Sequence, residues 1–192
     1  MSQPSGVRVF FHTFGCKANQ YDTERMRQES HARGVVATTD LGSADVCVVN
    51  TCTVTNAADA EARRFIRRVR RRNPETRIVV AGCSAVLRKS EYAEMDGVAS
   101  VVPGHDPLQV AVEVAGAASP KHPLIQLGMD SGLAESNLEP IGAAILDRRE
   151  GATRGWLKVQ DGCDRKCAFC ATRLARGASR SRLPEDIVLE AR

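Results

Sequence analysis

The sequence predicts an α/β protein: an amino-terminal open parallel sheet with flanking helices, then a linker and the opening βα unit of a second domain. Three observations predict it. Short strands that are apolar on both faces alternate with stretches of helical periodicity, the pattern of a parallel sheet covered on both sides. From Ala117 to about Gly151 the periodicity lapses into glycine, proline and serine. At Gly155 a new strand begins, and a cysteine-rich loop follows it. The expected units are residues 1–117, a linker at 118–150, and a second domain opening over 151–192.

The first strand spans 7–14, where Val7, Val9 and Phe11 alternate with Arg8, Phe10 and His12. A helix over 21–33 follows, with Asp22 as its cap and Gly34 as its stop. Residues 46–50 read as a short apolar strand after the turn-prone stretch 42–45. The helix over 57–73 carries Ala58, Ala62, Phe65, Ile66 and Val69 on one stripe and ends at Asn73-Pro74. Strands at 77–81 and 98–102 and a helix at 106–115 complete the sheet domain, of Rossmann or flavodoxin-like type. An extended piece is expected near 141–146 and a strand at 156–160. Pro184 opens a final helix at the first-turn position that suits proline.

With 192 residues the chain is long enough to bury a sizeable core. Its formal charge of +4 permits a nucleic-acid partner without demanding one. The amino terminus is polar, unlike a signal peptide, and no apolar run reaches membrane-spanning length. The expectation is a cytoplasmic chain without a membrane partner, whose thiols stay reduced. Seven cysteines in such a chain point to metal or catalysis.

Cys163, Cys167 and Cys170 follow a CxxxCxxC spacing. Structural zinc sites close with four ligands and ordinary iron–sulfur sites use four cysteines, so three thiolates leave a coordination position open for reaction. Cys16, Cys52 and Cys83 lie far apart in sequence, yet each follows a predicted strand. In an open parallel sheet the carboxyl ends of the strands share one edge, where ligands bind. One such cysteine reads as a small buried hydrophobe; three at equivalent positions read as metal ligands. Gly15 and Gly82 precede Cys16 and Cys83 and permit close approach. Zinc is the competing metal. His12 is the histidine nearest the first triplet, on a strand and offset from the loop, and no histidine lies near 163–170. Iron–sulfur chemistry with an external ligand is therefore preferred. Cys47, inside a strand, reads as a packed core thiol. Arg63, Arg64, Arg67, Arg68, Arg70, Arg71 and Arg72 form the densest charge run. It reads as a solvated helix face with cations at the negative end of the helix, ahead of a phosphate-contacting surface.

The CxxxCxxC loop resembles the signature of radical S-adenosylmethionine enzymes, and the stretch 174–182 resembles their RGxxRSR element. Residues 13–24, 50–53 and 81–83 resemble the amino-terminal domain of the methylthiotransferases within that superfamily, and Gly15-Cys-Lys-Ala-Asn-Gln20 is most similar to their MtaB type. The resemblance implies two [4Fe-4S] clusters, one on Cys163, Cys167 and Cys170 and an auxiliary one on Cys16, Cys52 and Cys83, with S-adenosyl-L-methionine as cofactor. It assigns Phe169, Arg176 and Arg180 to cofactor binding. It implies a tRNA substrate, methylthiolated at C2 of N6-threonylcarbamoyladenosine at position 37, and an electron donor that reduces the clusters. The sister type acts on isopentenyladenosine tRNA. After Cys170 the chain reads Ala171-Thr-Arg-Leu174, where the family usually has Ile-Ile-Pro. The expected chain is thus the amino-terminal portion of such an enzyme, ending within the first βα unit of a truncated radical SAM barrel. The alternative is a non-enzymatic metal-binding or nucleic-acid-binding module.

Overall fold

The computed structural model describes residues 6–116, 146 and 155–192. Its centre is a five-stranded, wholly parallel sheet. The elements run β1 (Arg8–Thr13), α1 (Lys17–His31), β2 (Val36–Ala37), β3 (Val46–Thr51), α2 (Asn56–Arg72), β4 (Arg77–Gly82), α3 (Cys83–Leu87), α4 (Lys89–Ala93), β5 (Val98–Val101) and α5 (Pro107–Ala115). The spatial order is β2-β1-β3-β4-β5. That is the flavodoxin-like order, in which the chain reverses direction between β1 and β3.

The two-sided apolar strands explain why helices cover both faces. On one face Cys47, Val49, Ile78 and Val80 pack with Phe65, Ile66 and Val69 of α2 and with Tyr92 of α4. On the other, Val9, Phe11, Val46, Val48 and Val79 pack with Met26 of α1 and with Val110 and Val114 of α5. All six residues of β3 are buried. Each buried valine or isoleucine contributes roughly 1.5–3 kcal/mol relative to exposure. Cys47 is a core thiol as expected, and burial pushes its pKa up to about 12.

Several boundaries differ from the sequence reading. Helix α1 starts at Lys17, not 21, because the backbone turns into it directly after Gly15. Asp22 is therefore not a cap. It lies inside the helix, buried and ion-paired. Helix α2 starts at Asn56, with Thr55 as its cap: the Thr55 hydroxyl accepts from the Ala58 amide at 3.1 Å. Asp106 caps α5 in the same way, and Pro107 occupies the first turn. The short elements β2, α3 and α4 and a 3₁₀ turn at Leu41–Ser43 lack the length to leave a periodic signal.

Beyond the first domain lie β6 (Gln160–Asp161), α6 (Ala171–Arg176), β7 (Arg180–Ser181) and α7 (Pro184–Ala191). The expected strand at 156–160 is corrected. A strand needs a ladder partner, and within 156–160 only Gln160 has one: it and Asp161 pair antiparallel with Ser181 and Arg180. The extended piece expected at 141–146 lies outside the described residues except for Leu146, which is buried. Among the described residues, no helix is long and apolar enough to cross a membrane.

Candidate metal centre

Strands β1, β3 and β4 are neighbours, and Cys16, Cys52 and Cys83 sit at their carboxyl ends. Cys16 and Cys52 flank the β1/β3 reversal, where ligands bind in open α/β sheets. Gly15 has φ +100°, and a Cβ there would lie 2.4 Å from both Cβ and Sγ of Cys52. Only glycine lets these two loops meet. Gly82, φ +96°, likewise runs against the Thr51 backbone, where a Cβ would lie 2.4 Å from the carbonyl oxygen.

Asn19, in the first turns of α1, ties the edge together. Its Nδ2 donates to the carbonyls of Phe14 (2.9 Å) and Thr51 (2.8 Å), the ends of β1 and β3. Its Oδ1 accepts from the Cys83 thiol at 3.8 Å. The Asn50 amide donates to the Asn19 carbonyl and to Thr23, and the Thr51 hydroxyl donates to the Ala81 carbonyl at 2.6 Å, joining β3 to β4. Cys52 and Cys83 are buried, whereas Cys16 is exposed at the rim. Burial pushes the Cys83 thiol up to about 11, opposed by the charge of Arg176 beside it.

In the second triplet Cys167 is exposed and Cys163 and Cys170 are partly so. The Cys163 amide donates to the Gly177 carbonyl at 3.1 Å, and the Cys170 amide to that of Cys167 at 3.3 Å. Helix α6 begins immediately after Cys170. Phe169 is 92% exposed, Arg180 is half-buried in β7, and Arg176 is buried. Among the described residues, no three histidine, cysteine, aspartate or glutamate side chains converge in a metal-binding group. The donor chemistry nevertheless fits an iron–sulfur group at each triplet. Soft thiols come from three adjacent strand ends, with Gly15 leaving room between two of them, and from one short loop.

A buried ionic cluster joins the two cysteine-bearing regions. The Arg176 guanidinium donates to Asp161 (2.9 and 3.1 Å), Asp22 (2.9 Å) and Asn19 Oδ1 (2.6 Å). Lys158 pairs with Asp22 and, at 3.1 Å, with Asp161. His105 Nε2 lies 2.7 Å from Asp161. Burial opposes ionisation of Asp161, but the His105 hydrogen bond and the charges of Lys158, His105 and Arg176 outweigh it and hold the carboxyl far below its usual range. Burial also opposes the Arg176 charge; Asp22, Cys83 and Asp161 outweigh it and raise that pKa.

Sequence reasoning missed Asn19, Asp22, His105, Lys158 and Asp161 as site residues. Asn19 and Asp161 lie within three residues of a candidate ligand, which is the signal that could have found them. The reading that no histidine lies near 163–170 is corrected. The β5–α5 loop carries His105 to Asp161, two residues before Cys163, a proximity that sequence separation hides.

The arginines of α2 divide. Arg63 pairs with Asp59 at 2.5 Å and Arg70 with Asp96 at 3.0 Å. Arg64, Arg67, Arg68, Arg71 and Arg72 are exposed, with Arg68 lying over the Phe65 ring.

A family model described as "Uncharacterized protein family UPF0004" matches residues 8–104, the sheet domain. The chain is 37% identical over 184 residues to a threonylcarbamoyladenosine tRNA methylthiotransferase MtaB of Bacillus subtilis (strain 168), covering 95% of this chain and 40% of that protein. It is 32% identical over 186 residues to the MtaB of Thermotoga maritima, covering 95% of this chain and 39% of that protein. It is 31% identical over 196 residues to a tRNA-2-methylthio-N(6)-dimethylallyladenosine synthase of Staphylococcus haemolyticus, covering 97% and 36% respectively. The chain thus spans about two fifths of the length of these relatives.

Proposed function

The chain belongs to the uncharacterized protein family UPF0004, and on that premise we propose that it is a cluster-binding portion of a tRNA methylthiotransferase. The observation that carries this reading is the placement of Cys16, Cys52 and Cys83 on three adjacent strand ends, with the CxxxCxxC loop fastened to the same edge through Arg176. Residues 8–104 bind the auxiliary group, and the segment from 155 onward carries the second.

Cys16, Cys52 and Cys83 would hold one [4Fe-4S] cluster, and Cys163, Cys167 and Cys170 the other. When bound, these clusters and S-adenosyl-L-methionine supply electron transfer, radical chemistry and a sulfur donor. The protein's own contribution is placement. Asn19 fixes the ends of β1 and β3, Gly15 lets the Cys16 and Cys52 loops meet, and the ionic cluster keeps the base of the second loop against α1. Three thiolates per group leave one position for an external ligand. Partial exposure of the 163–170 loop gives a cofactor access to it.

The substrate reading is N6-threonylcarbamoyladenosine in tRNA, with an external electron donor. Gly15-Cys-Lys-Ala-Asn-Gln20 and the 37% identity to an MtaB support it. The 31% identity to a dimethylallyladenosine synthase supports the sister substrate less strongly. The test is anaerobic reconstitution with iron and sulfide. Uptake of about eight irons per chain, two four-iron clusters, supports the proposal. Tightly held zinc with no iron uptake would instead mark a non-enzymatic metal module.

A further inference from the structure

Arg176 stands where the two cysteine-bearing regions meet through buried charge. Its fork is used on both sides. Nη1 holds both oxygens of Asp161, whose Oδ1 also accepts from the Gly162 amide at 2.9 Å, one residue before Cys163. Nη2 holds Asp22 and the Asn19 oxygen, the same atom that accepts from the Cys83 thiol. The backbone closes the arrangement, since Cys163 is hydrogen-bonded to Gly177, the residue after Arg176. A planar guanidinium can serve three acceptors at fixed angles, which an ammonium cannot.

A general buried ion network would not need this geometry. Lys158 already reaches Asp22 and Asp161, so both carboxylates keep a cation without Arg176. Arg176 goes further, to Asn19 Oδ1, the atom that also accepts from the Cys83 thiol, which brings the guanidinium near that sulfur.

We propose that Arg176 is a positioning residue with two linked tasks. It latches the base of the 163–170 loop to α1, and it presents a fixed positive charge to the sulfur of Cys83. The second task rests on reading Cys16, Cys52 and Cys83 as cluster ligands; the first does not. Arg176 would thus act on the auxiliary site, although its sequence position groups it with the other triplet.

The test has two arms on the full chain, using Arg176→Met and Arg176→Lys. In the metal-free protein, hydrogen–deuterium exchange is followed at the amides of Gly162, Cys163 and Gly177. Loss of the latch predicts at least tenfold faster exchange in Arg176→Met, with Arg176→Lys intermediate; unchanged rates in Arg176→Met overturn the latch. For the second arm, Cys163, Cys167 and Cys170 are replaced by alanine, and the remaining cluster is titrated electrochemically. A nearby cation favours the reduced, more negative cluster. Arg176→Met should therefore shift the potential to a more negative value, and Arg176→Lys should restore most of the shift. Iron uptake by Arg176→Lys but not by Arg176→Met also supports the charge role. Equal potentials, or loss of iron in both variants, overturn it. If the parent takes up no iron on Cys16, Cys52 and Cys83, the proposed function fails and the charge role with it, while the exchange arm still decides the latch.

Discussion

Replacing Gly15 by alanine tests whether the Cys16 and Cys52 loops meet as described. Two effects add. At φ +100° an L-residue is strained, costing about 1–2 kcal/mol. The new Cβ would also lie 2.4 Å from Cβ and Sγ of Cys52, closer than contact allows, and overpacking of this kind costs roughly 1–3 kcal/mol. Gly34→Ala is the control: its φ is +78°, but no atom lies within 4 Å of the added Cβ. It carries the conformational strain alone. Gly15→Ala should therefore exceed Gly34→Ala by about 2 kcal/mol, which for a chain of this size is a further fall in Tm of about 4–8 °C. The assay is thermal unfolding of the metal-free chain, followed by iron uptake on reconstitution. Uptake at Cys16, Cys52 and Cys83 should fall in Gly15→Ala and persist in Gly34→Ala. Equal losses of stability in the two variants would refute the close approach, and the geometry of the site with it.

Asp59 is buried and bonded to Ser84 (2.5 Å), Tyr92 (2.8 Å) and Arg63 (2.5 Å). Burial raises its pKa, but the hydrogen bonds and the charges of Arg63 and Arg88 outweigh this, and its pKa lies below the usual value. A depressed carboxyl stabilises the fold above its unfolded pKa near ~4, and that contribution is lost as pH falls further. Asp59→Asn should flatten this part of the acid limb in denaturation curves measured at successive pH values; an unchanged limb would contradict the assignment. Cys47→Ala should cost about 1 kcal/mol and leave iron uptake intact, whereas Cys52→Ala should lose the iron of one cluster. Charge reversal at Arg64, Arg67 and Arg71 should change stability by no more than about 0.5 kcal/mol per site. If α2 is only a solvated face, tRNA affinity and its salt dependence will be unaltered; a marked loss would make it a phosphate-contacting surface.

The sheet was legible because its strands are apolar on both faces and its long helices carry a clear stripe, as Phe65, Ile66 and Val69 do on α2. The placement of Cys16, Cys52 and Cys83 after three neighbouring strands was legible from topology, since parallel strands put their carboxyl ends on one edge. The start of α1 was not, because Asp22 looks like a cap. It serves instead as a buried partner of Lys158 and Arg176, residues more than 130 positions away. His105 was hidden for the same reason: no local pattern reports that a loop after β5 meets Asp161. The strand expected at 156–160 was over-read, because an apolar alternation does not supply the ladder partner that makes a strand.

The central claim is that the chain holds two separate cysteine triplets, each binding its own cluster, of which the 163–170 loop takes the cofactor. The most direct measurement is electron paramagnetic resonance of two reconstituted, reduced variants. One has Cys16, Cys52 and Cys83 replaced by alanine; the other has Cys163, Cys167 and Cys170 replaced. Each should keep about four irons, and S-adenosyl-L-methionine should alter the spectrum of the first variant and leave the second unchanged. Loss of all iron in either variant, or the same response to the cofactor in both, would contradict the account.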